Sequence, residues 1–465
     1  MSGDDPVGSQ AYGQHTPHRG AIAIERVSSD DLMSLATDRG AVPMQVGAIL
    51  ILDTTGGCEP ASIIAAVGQR LPAIPRLRQR LARPGIGFGR PIWIDDPRFR
   101  IEDHVSIAQC PASKGLDGLL ATAADLLTTR LASDRPLWAA LVVPEFDDGR
   151  TGVVIVFHHV LADGIAGLAI LGALADDSPA VPKPDFPRPA PSRAQLAHDV
   201  TQGYLVALAR LPRTIVRLGQ ALTQLGPSLR GRASASSLNQ QTGAGQRFAM
   251  VDCDLASVRD VAHANDATIN DVVLCAITGA LRHLLVERGE QIDEFVISVP
   301  FSSRRGAVPG SLGNQSGAVP IRLPAAGAAL DRLRAVANIT RVAKLSPRGA
   351  SVAVLGPLFR GLARIGLYQW FVDHQRVVHT FVTNLKGPTS ALSLGRFPIV
   401  GIVPLTLSVG NVTMSFAVLS YKGRLTVTIA SDLTTCPDLD VIRDSLAAEL
   451  STITRTTCHQ GRISL

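Results

Sequence analysis

Between Thr268 and Gly289, the apolar residues Ile269, Val272, Val273, Ala276, Ile277, Ala280, Leu281, Leu284 and Leu285 recur three and four positions apart. That spacing lines one face of a helix. Thr268 with Asp271 three residues on reads as its N-cap, and Gly289 as its stop. On the helical wheel Asn270 falls inside the apolar arc and Asp271 outside it. An inward-facing Asn270 side chain must find hydrogen-bond partners. Other segments follow a shorter period. Ala139–Val143 and Gly152–Phe157 read as strands around a turn at Asp147-Asp148-Gly149. Leu405–Val409, Met414–Ser420 and Leu425–Ala430 read as strands, the last two joined at Lys422-Gly423. The apolar stretch Val352–Val372 reads as a core helix, with the lining of an apolar tunnel or a segment lying on a membrane as the alternatives. Strands and helices in both halves, without strict alternation, predict an α/β architecture of layered mixed sheets.

Punctuation divides the chain. The run Ser178–Ser192 holds six prolines, too many for helix or central strand, so it is expected to be an extended connector. Gly231–Gly245 is rich in Ser, Gln, Gly and Ala, and a helical pattern broken at Pro212 lies between the two. The expected organisation is a polar disordered tail over 1–20, a first unit over 21–177, a connector over 178–245 and a second unit over 246–465.

Composition narrows the class. With 46% hydrophobic and 18% charged residues in 465, the chain as a whole is not disordered. Only 4% of residues are aromatic and no basic run is interleaved with them, which excludes a base-stacking nucleic-acid surface. The six cysteines (58, 110, 253, 275, 436 and 458) are too sparse for a disulfide scaffold and lack zinc-ligand spacing, so reduced thiols are expected. The N-terminus has no secretory pattern, and no stretch of about 18 residues is apolar without charge. A cytoplasmic protein follows, neither secreted nor membrane-spanning. The net charge of +6 has one source. Between Arg188 and Arg232 stand seven arginines and a single aspartate, a surplus equal to that of the whole chain. This basic connector, with its Leu, Ile and Val positions, suits either a strap across the two units or an anchor on an anionic lipid surface.

The segment carrying chemistry is Phe157-His158-His159-Val160-Leu161-Ala162-Asp163-Gly164. A buried strand ends in two histidines, then a turn leads into an apolar helix. Side chains alternate along a strand, so the two histidines face opposite ways and cannot share a role. Histidine suits general-base work near neutral pH. An aspartate can fix its tautomer or anchor its turn, and glycine permits close approach. A strand-end pair that merely closes core hydrogen bonds is the plain alternative. A zinc site lacks a third nearby ligand. Ser302 and Ser303, following a strand, are candidate oxyanion donors or simple turn formers. Pro136-Leu137-Trp138 and Trp93 are expected to pack the core.

The string His-His-x-x-x-Asp-Gly resembles the motif of the acyl-CoA-dependent acyltransferase superfamily, which includes peptide-synthetase condensation domains. The rest resembles one branch, the bacterial wax ester synthase/diacylglycerol acyltransferase family, from about Ile22 to Leu450. The resemblance also rests on Pro43-Met44-Gln45-Val46-Gly47, Pro136-Leu137-Trp138, Asn270-Asp271, Val299-Pro300-Phe301-Ser302-Ser303-Arg304, Gly313-Asn314, Thr383-Asn384-Leu385-Lys386-Gly387-Pro388 and Ser420-Tyr421. Two positions depart from it: the family usually has His at Gln45 and Ser at Thr383.

The resemblance implies a two-lobed fold, each lobe a mixed sheet flanked by helices, with the reaction centre between the lobes. His159 would be the general base and His158 structural. Asp163 would point away from substrate, paired with an arginine for which Arg304 is the candidate, and Gly164 completes the motif. Asn270 would line the centre from the second lobe, and Thr383 and Asn384 would lie at an interlobe contact beside it. The substrates implied are acyl-CoA and an apolar alcohol, either diacylglycerol or a fatty alcohol, with no permanent cofactor and no metal. Peripheral association with the inner membrane or lipid droplets would follow. A complex-lipid or polyketide alcohol as acceptor, or a non-catalytic lipid-binding relative, are the rivals.

Overall fold

Strand β6 (Arg150–His158) is buried along nearly its whole length, because both of its faces meet apolar layers. Val153, Ile155 and Phe157 join one core cluster; Val154 and Val156 join another. In the computed structural model the described residues are 24–28, 31–38, 40–108, 115–175, 185–206, 208–209, 232–302, 316–345, 361–362, 365–455 and 458–460.

β6 is central to a six-stranded sheet. It pairs antiparallel with β5 (Trp138–Asp147) through a two-residue turn, Asp148-Gly149, whose glycine has φ of +64°. On its other side it pairs antiparallel with β1 (Gln45–Asp53). β4 (Val105–Ile107) runs parallel to β5, which makes the sheet mixed. The far edge comes from the second half of the chain: β12 (Phe397–Leu405) pairs with β1, and the short β11 (Ser393–Leu394) follows it. The sheets therefore do not divide at a single point near residue 245; residues 393–405 cross back to complete the first. This also corrects the expected strand Leu405–Val409. Leu405 ends β12, and residues 406–409 leave the sheet.

The second sheet has seven strands: β15 (His459–Gln460), β7 (Gln246–Asp254), β14 (Arg424–Asp432), β13 (Met414–Tyr421), β10 (Thr380–Lys386), β8 (Glu294–Ser302) and β9 (Ser316–Pro324), in that order. β10 is parallel to both neighbours while the other pairs are antiparallel. The β13–β14 turn is Lys422-Gly423, with φ of +46° and +75°, the two-residue hairpin expected at that dipeptide. Against this sheet lies the helix Ile269–Glu287, with Thr268 and Asp271 forming a capping box and Gly289 at φ of +77° beyond its end. It is the one helix among the described residues long and apolar enough to cross a membrane, and it is the buried centre of this core. The helix Leu116–Thr128 packs between the two sheets, its Leu119, Ala123 and Leu127 sharing a cluster with Val154 and Met250.

Three further expectations are corrected. Asp271 is 2% exposed, not outside the apolar arc: its carboxylate closes the capping box and accepts the Thr340 hydroxyl at 2.6 Å. Cys253 and Cys458 are not separate thiols but a disulfide, with Cα atoms 4.7 Å apart. Pairing of β15 with β7 sets His459 opposite Asp252, so the two cysteines become cross-strand neighbours despite 205 residues between them. The described part of Val352–Val372 is not core. The helix Tyr368–His374 has seven residues, none of them buried, and Trp370 is exposed; residues 346–360 lie outside the described residues.

Trp138 and Trp93 pack as expected. The Trp138 indole donates to the Leu77 carbonyl at 2.8 Å and stacks on His104, and Trp93 lies under the Arg76 guanidinium. Of the connector arginines, Arg188 is drawn onto buried Asp95, to which its backbone N–H and guanidinium both donate. Asp199 pairs with Arg26, which ties the helical residues 193–206 to the first half. Arg210, Arg213, Arg217 and Arg230 lie outside the described residues.

Candidate active site

Backbone contacts fix the turn that follows β6. The His159 N–H donates to the Met44 carbonyl at 2.8 Å, and the Leu161 N–H donates to the His158 carbonyl at 2.8 Å. The Val160 N–H donates to His158 Nδ1 at 3.0 Å. A ring nitrogen that accepts carries no proton, so His158 is the neutral Nε2–H tautomer. Its Nε2 lies 3.3 Å from Asp38 Oδ2, a contact of N–H dipole with charge and not an aligned hydrogen bond. Asp38 also accepts the Met44 N–H at 2.9 Å and a guanidinium N–H of Arg130, which binds the Asp38 and Gly40 carbonyls too. Burial would raise the Asp38 carboxyl; His158, the Met44 amide and Arg130 outweigh it and hold the group below the usual carboxylate range. His158 thus belongs to the frame of the turn.

His159 stands just past the strand end and is only partly exposed. Burial pushes its pKa down, while the charge of Asp163 and a bond to its own backbone oppose that without cancelling it. Its ring is therefore neutral at neutral pH and able to take a proton. Asp163, 4% exposed, caps the helix Gly164–Leu174 by accepting the Ala166 N–H at 2.8 Å. Its expected partner, Arg304, lies outside the described residues, as does Ser303. Ser302 ends β8, paired with Ser316.

Gly164 joins this turn to the second sheet. A Cβ there would stand 3.1 Å from Leu385 Cδ1, so the helix start lies directly on β10. Alternation along β10 puts Thr383 on the Leu385 face and turns Asn384 and Lys386 the other way. On that side Asn384 Nδ2 donates to Asn270 Oδ1 at 3.2 Å, and both asparagines line a cavity of about 700 Å³ walled also by Val299, Pro300 and Tyr421. His159 is not among its lining residues. Asn270 and Asn384, from separate sequence regions, do meet. The motif turn approaches that neighbourhood through Gly164 on Leu385, and its Val160, Leu161 and Ala162 share a core cluster with Tyr421.

Sequence reasoning passed over Asp38 and Arg130, which no motif marks. It also left unmarked Arg259 and Lys344, which line the cavity. Among the described residues no three His, Cys, Asp or Glu side chains are grouped to hold a metal ion.

The model of the wax ester synthase/diacylglycerol acyltransferase catalytic domain matches residues 27–273, and that of the WS/DGAT C-terminal domain matches 312–454. The chain belongs to this family. A Mycobacterium tuberculosis relative bearing the name "Putative diacyglycerol O-acyltransferase" is 29% identical, covering 90% of this chain and 87% of its own. A second, "Probable diacyglycerol O-acyltransferase", from the same species is 28% identical over 91% and 95%. Among solved structures, the wax ester synthase/diacylglycerol acyltransferase of Marinobacter aquaeolei VT8 superposes with a TM-score of 0.67 at 19% identity, covering 92% of this chain and 98% of that one. The first condensation domain of the calcium-dependent antibiotic synthetase gives 0.61 at 17%, over 96% and 100%. The fold is thus the two-lobed, condensation-domain-like α/β fold with two mixed sheets. Within this family, Gln45 takes its departure from His with full use of its amide. It donates to the Leu127 and Thr129 carbonyls at 2.6 and 3.1 Å and accepts from the Leu131 N–H at 3.0 Å, which locks the end of the helix Leu116–Thr128 onto β1.

Proposed function

We propose that this family member is an O-acyltransferase that moves a long-chain acyl group from acyl-CoA to diacylglycerol or a fatty alcohol, giving triacylglycerol or wax ester. His159 accepts the proton of the acceptor hydroxyl. The alkoxide oxygen bonds to the thioester carbonyl carbon, the carbon–sulfur bond breaks, and the thiolate of coenzyme A leaves and takes up the proton from His159. No covalent acyl-enzyme forms. What carries the reading is the intact His-His-x-x-x-Asp-Gly turn, with its second histidine held neutral by burial and positioned by the Met44 carbonyl. Asp163 and His158 position that turn, and the Asn270–Asn384 pair is a site-lining contact from the second lobe. Ser302, Ser303 and Thr383 are candidates for contact with the developing oxyanion or the acceptor.

The protein works in the cytoplasm against a lipid surface, which suits an insoluble alcohol and an insoluble ester product. Tyr204, Leu205 and Leu208 of the helical segment after the proline-rich run are exposed and would face it. The test is product analysis. Purified protein with radiolabelled palmitoyl-CoA should yield labelled triacylglycerol with dioleoylglycerol, or labelled wax ester with hexadecanol. Tight lipid binding with no labelled ester from either acceptor would instead mark a binding protein.

A further inference from the structure

Two exposed apolar ends leave the body of the protein at one contact. The first is the loop of the hairpin formed by β2 (Gln79–Ala82) and β3 (Ile92–Asp95). Its tip is Gly85-Ile86-Gly87. The two glycines have φ of +97° and +87°, and a Cβ on either would meet nothing within 4 Å. Ile86 between them is fully exposed. The second is the helical segment after the proline-rich run. Its Leu196 is buried and its Val200 half-buried, whereas residues 201–206 are exposed, so the segment leaves the body after Val200. Tyr204, Leu205, Val206 and Leu208 all stand in the open. Hairpin and helix touch where they part from the body. A Cβ on Gly89 would stand 2.9 Å from Val200 Cγ2. Arg26 donates to the Phe88 and Arg90 carbonyls and pairs with Asp199 of the helical segment.

The composition of these ends selects what covers them. Residues 204–209 read Tyr-Leu-Val-Ala-Leu-Ala, apolar on every side of a helix. Such an end is satisfied by surroundings that enclose it, as acyl chains do, and not by the single face that a protein partner offers. The charge beside it has one sign. From Pro75 to Ile94 the chain has five arginines and no acid, and Arg83 and Arg90, on either side of the tip, are exposed. Asp199, the acid of the helical segment, is taken by Arg26. Apolar side chains beyond a cationic rim match the acyl and phosphate layers of an anionic membrane. We propose that the β2–β3 tip and the end of the helical segment form one docking site for an anionic lipid surface. Ile86, Tyr204, Leu205 and Leu208 enter the acyl region, and Arg83 meets the headgroup phosphates. The assignment rests on the lipid-surface reading above and gives that surface a second, independent element of contact, the hairpin tip.

Flotation of the full chain with phosphatidylcholine vesicles, with and without phosphatidylglycerol, tests the site through variants of exposed side chains. Ile86→Ser/Leu208→Ser should keep the wild-type Tm and bind phosphatidylglycerol-containing vesicles about tenfold more weakly, through lost apolar contact. Arg83→Ala should bind them about fivefold more weakly, with binding to pure phosphatidylcholine unchanged. Acyl transfer to detergent-dispersed hexadecanol, which needs no vesicle, should match wild type in both variants. A loss there equal to the loss of vesicle binding would overturn the proposal, because the residues would then serve the fold or the reaction centre. Wild-type vesicle binding by both variants would overturn it too, while leaving the protein on lipid through another face. So would a dimeric wild type that Ile86→Ser/Leu208→Ser makes monomeric, since the apolar ends would then cover each other. A wild type that floats with neither vesicle overturns the lipid-surface reading and the site with it. Vesicle binding by a wild type that forms no ester would sink the acyltransferase reading and leave the docking site standing.

Discussion

The Val160 N–H donates to His158 Nδ1 at 3.0 Å, so the first motif histidine spends its lone pair on the turn that carries the second. That bond is incompatible with a protonated His158 ring. It also leaves a buried amide without a partner if the ring is removed. His158→Ala is therefore expected to lower unfolding free energy by about 1–3 kcal/mol. Urea unfolding checks this, and an unchanged midpoint and slope would show that the ring is not part of the frame.

Gly47 sits on β1 opposite Val156, and a Cβ there would stand 2.4 Å from the Ile155 carbonyl oxygen. That neighbour is backbone in the centre of a sheet and cannot yield cheaply. Gly47→Ala should cost about 1–3 kcal/mol through strain and shift the Met44–His159 contact that depends on β1. Thermal unfolding should show a lowered Tm, and turnover should fall with it. A Tm equal to wild type would mean that β1 and β6 are not held this close.

His104, His159 and His379 all have pKa values pushed down, in each case chiefly by burial. The unfolded chain then binds more protons than the folded one as pH falls below the ordinary histidine value of about 6.5. Stability should be complete above that value and decline as pH drops through it toward the depressed folded values. Guanidinium unfolding at neutral and mildly acidic pH reads the difference. For the reaction, the acid limb of kcat/KM should lie below the ordinary histidine pKa, because His159 stays neutral there. An acid limb above 6.5 would contradict the burial of that ring.

Asp95 is buried, and burial alone would raise its carboxyl; the Arg188 guanidinium and N–H and the Gln79 amide outweigh this. Arg188→Ala removes the guanidinium and leaves the carboxylate with the backbone N–H of residue 188, the Gln79 amide and the charge of Arg78. A loss of about 1–3 kcal/mol of stability is expected at neutral pH, because a buried carboxylate loses its charge-assisted hydrogen bonds. The loss should shrink in acid as Asp95 protonates. A loss that is the same at all pH values would point to packing instead of charge.

The legible parts of this protein were those whose determinants lie close together in the sequence. The helix Ile269–Glu287, its capping box and the Lys422-Gly423 hairpin are local, and their residues announce them. The return of β12 to pair with β1 is set by contacts roughly 350 residues apart, and no local pattern encodes it. Asp271 was misplaced because a helical wheel knows nothing of the helix Ala329–Leu345, whose Thr340 covers it. The Cys253–Cys458 pair likewise depends on two strands meeting edge to edge. The motif turn was legible as a string, but its supports were not. Asp38 and Arg130 stand in no motif, and Met44 acts on His159 through its backbone carbonyl, which any residue would supply.

The most direct measurement is the rate of acyl transfer by His159→Gln, with folding verified by an unchanged Tm, using radiolabelled palmitoyl-CoA with dioleoylglycerol and with hexadecanol. The account predicts kcat reduced by about 10²–10⁴-fold for whichever acceptor the wild type esterifies. Labelled ester formed by His159→Gln at the wild-type rate would contradict it.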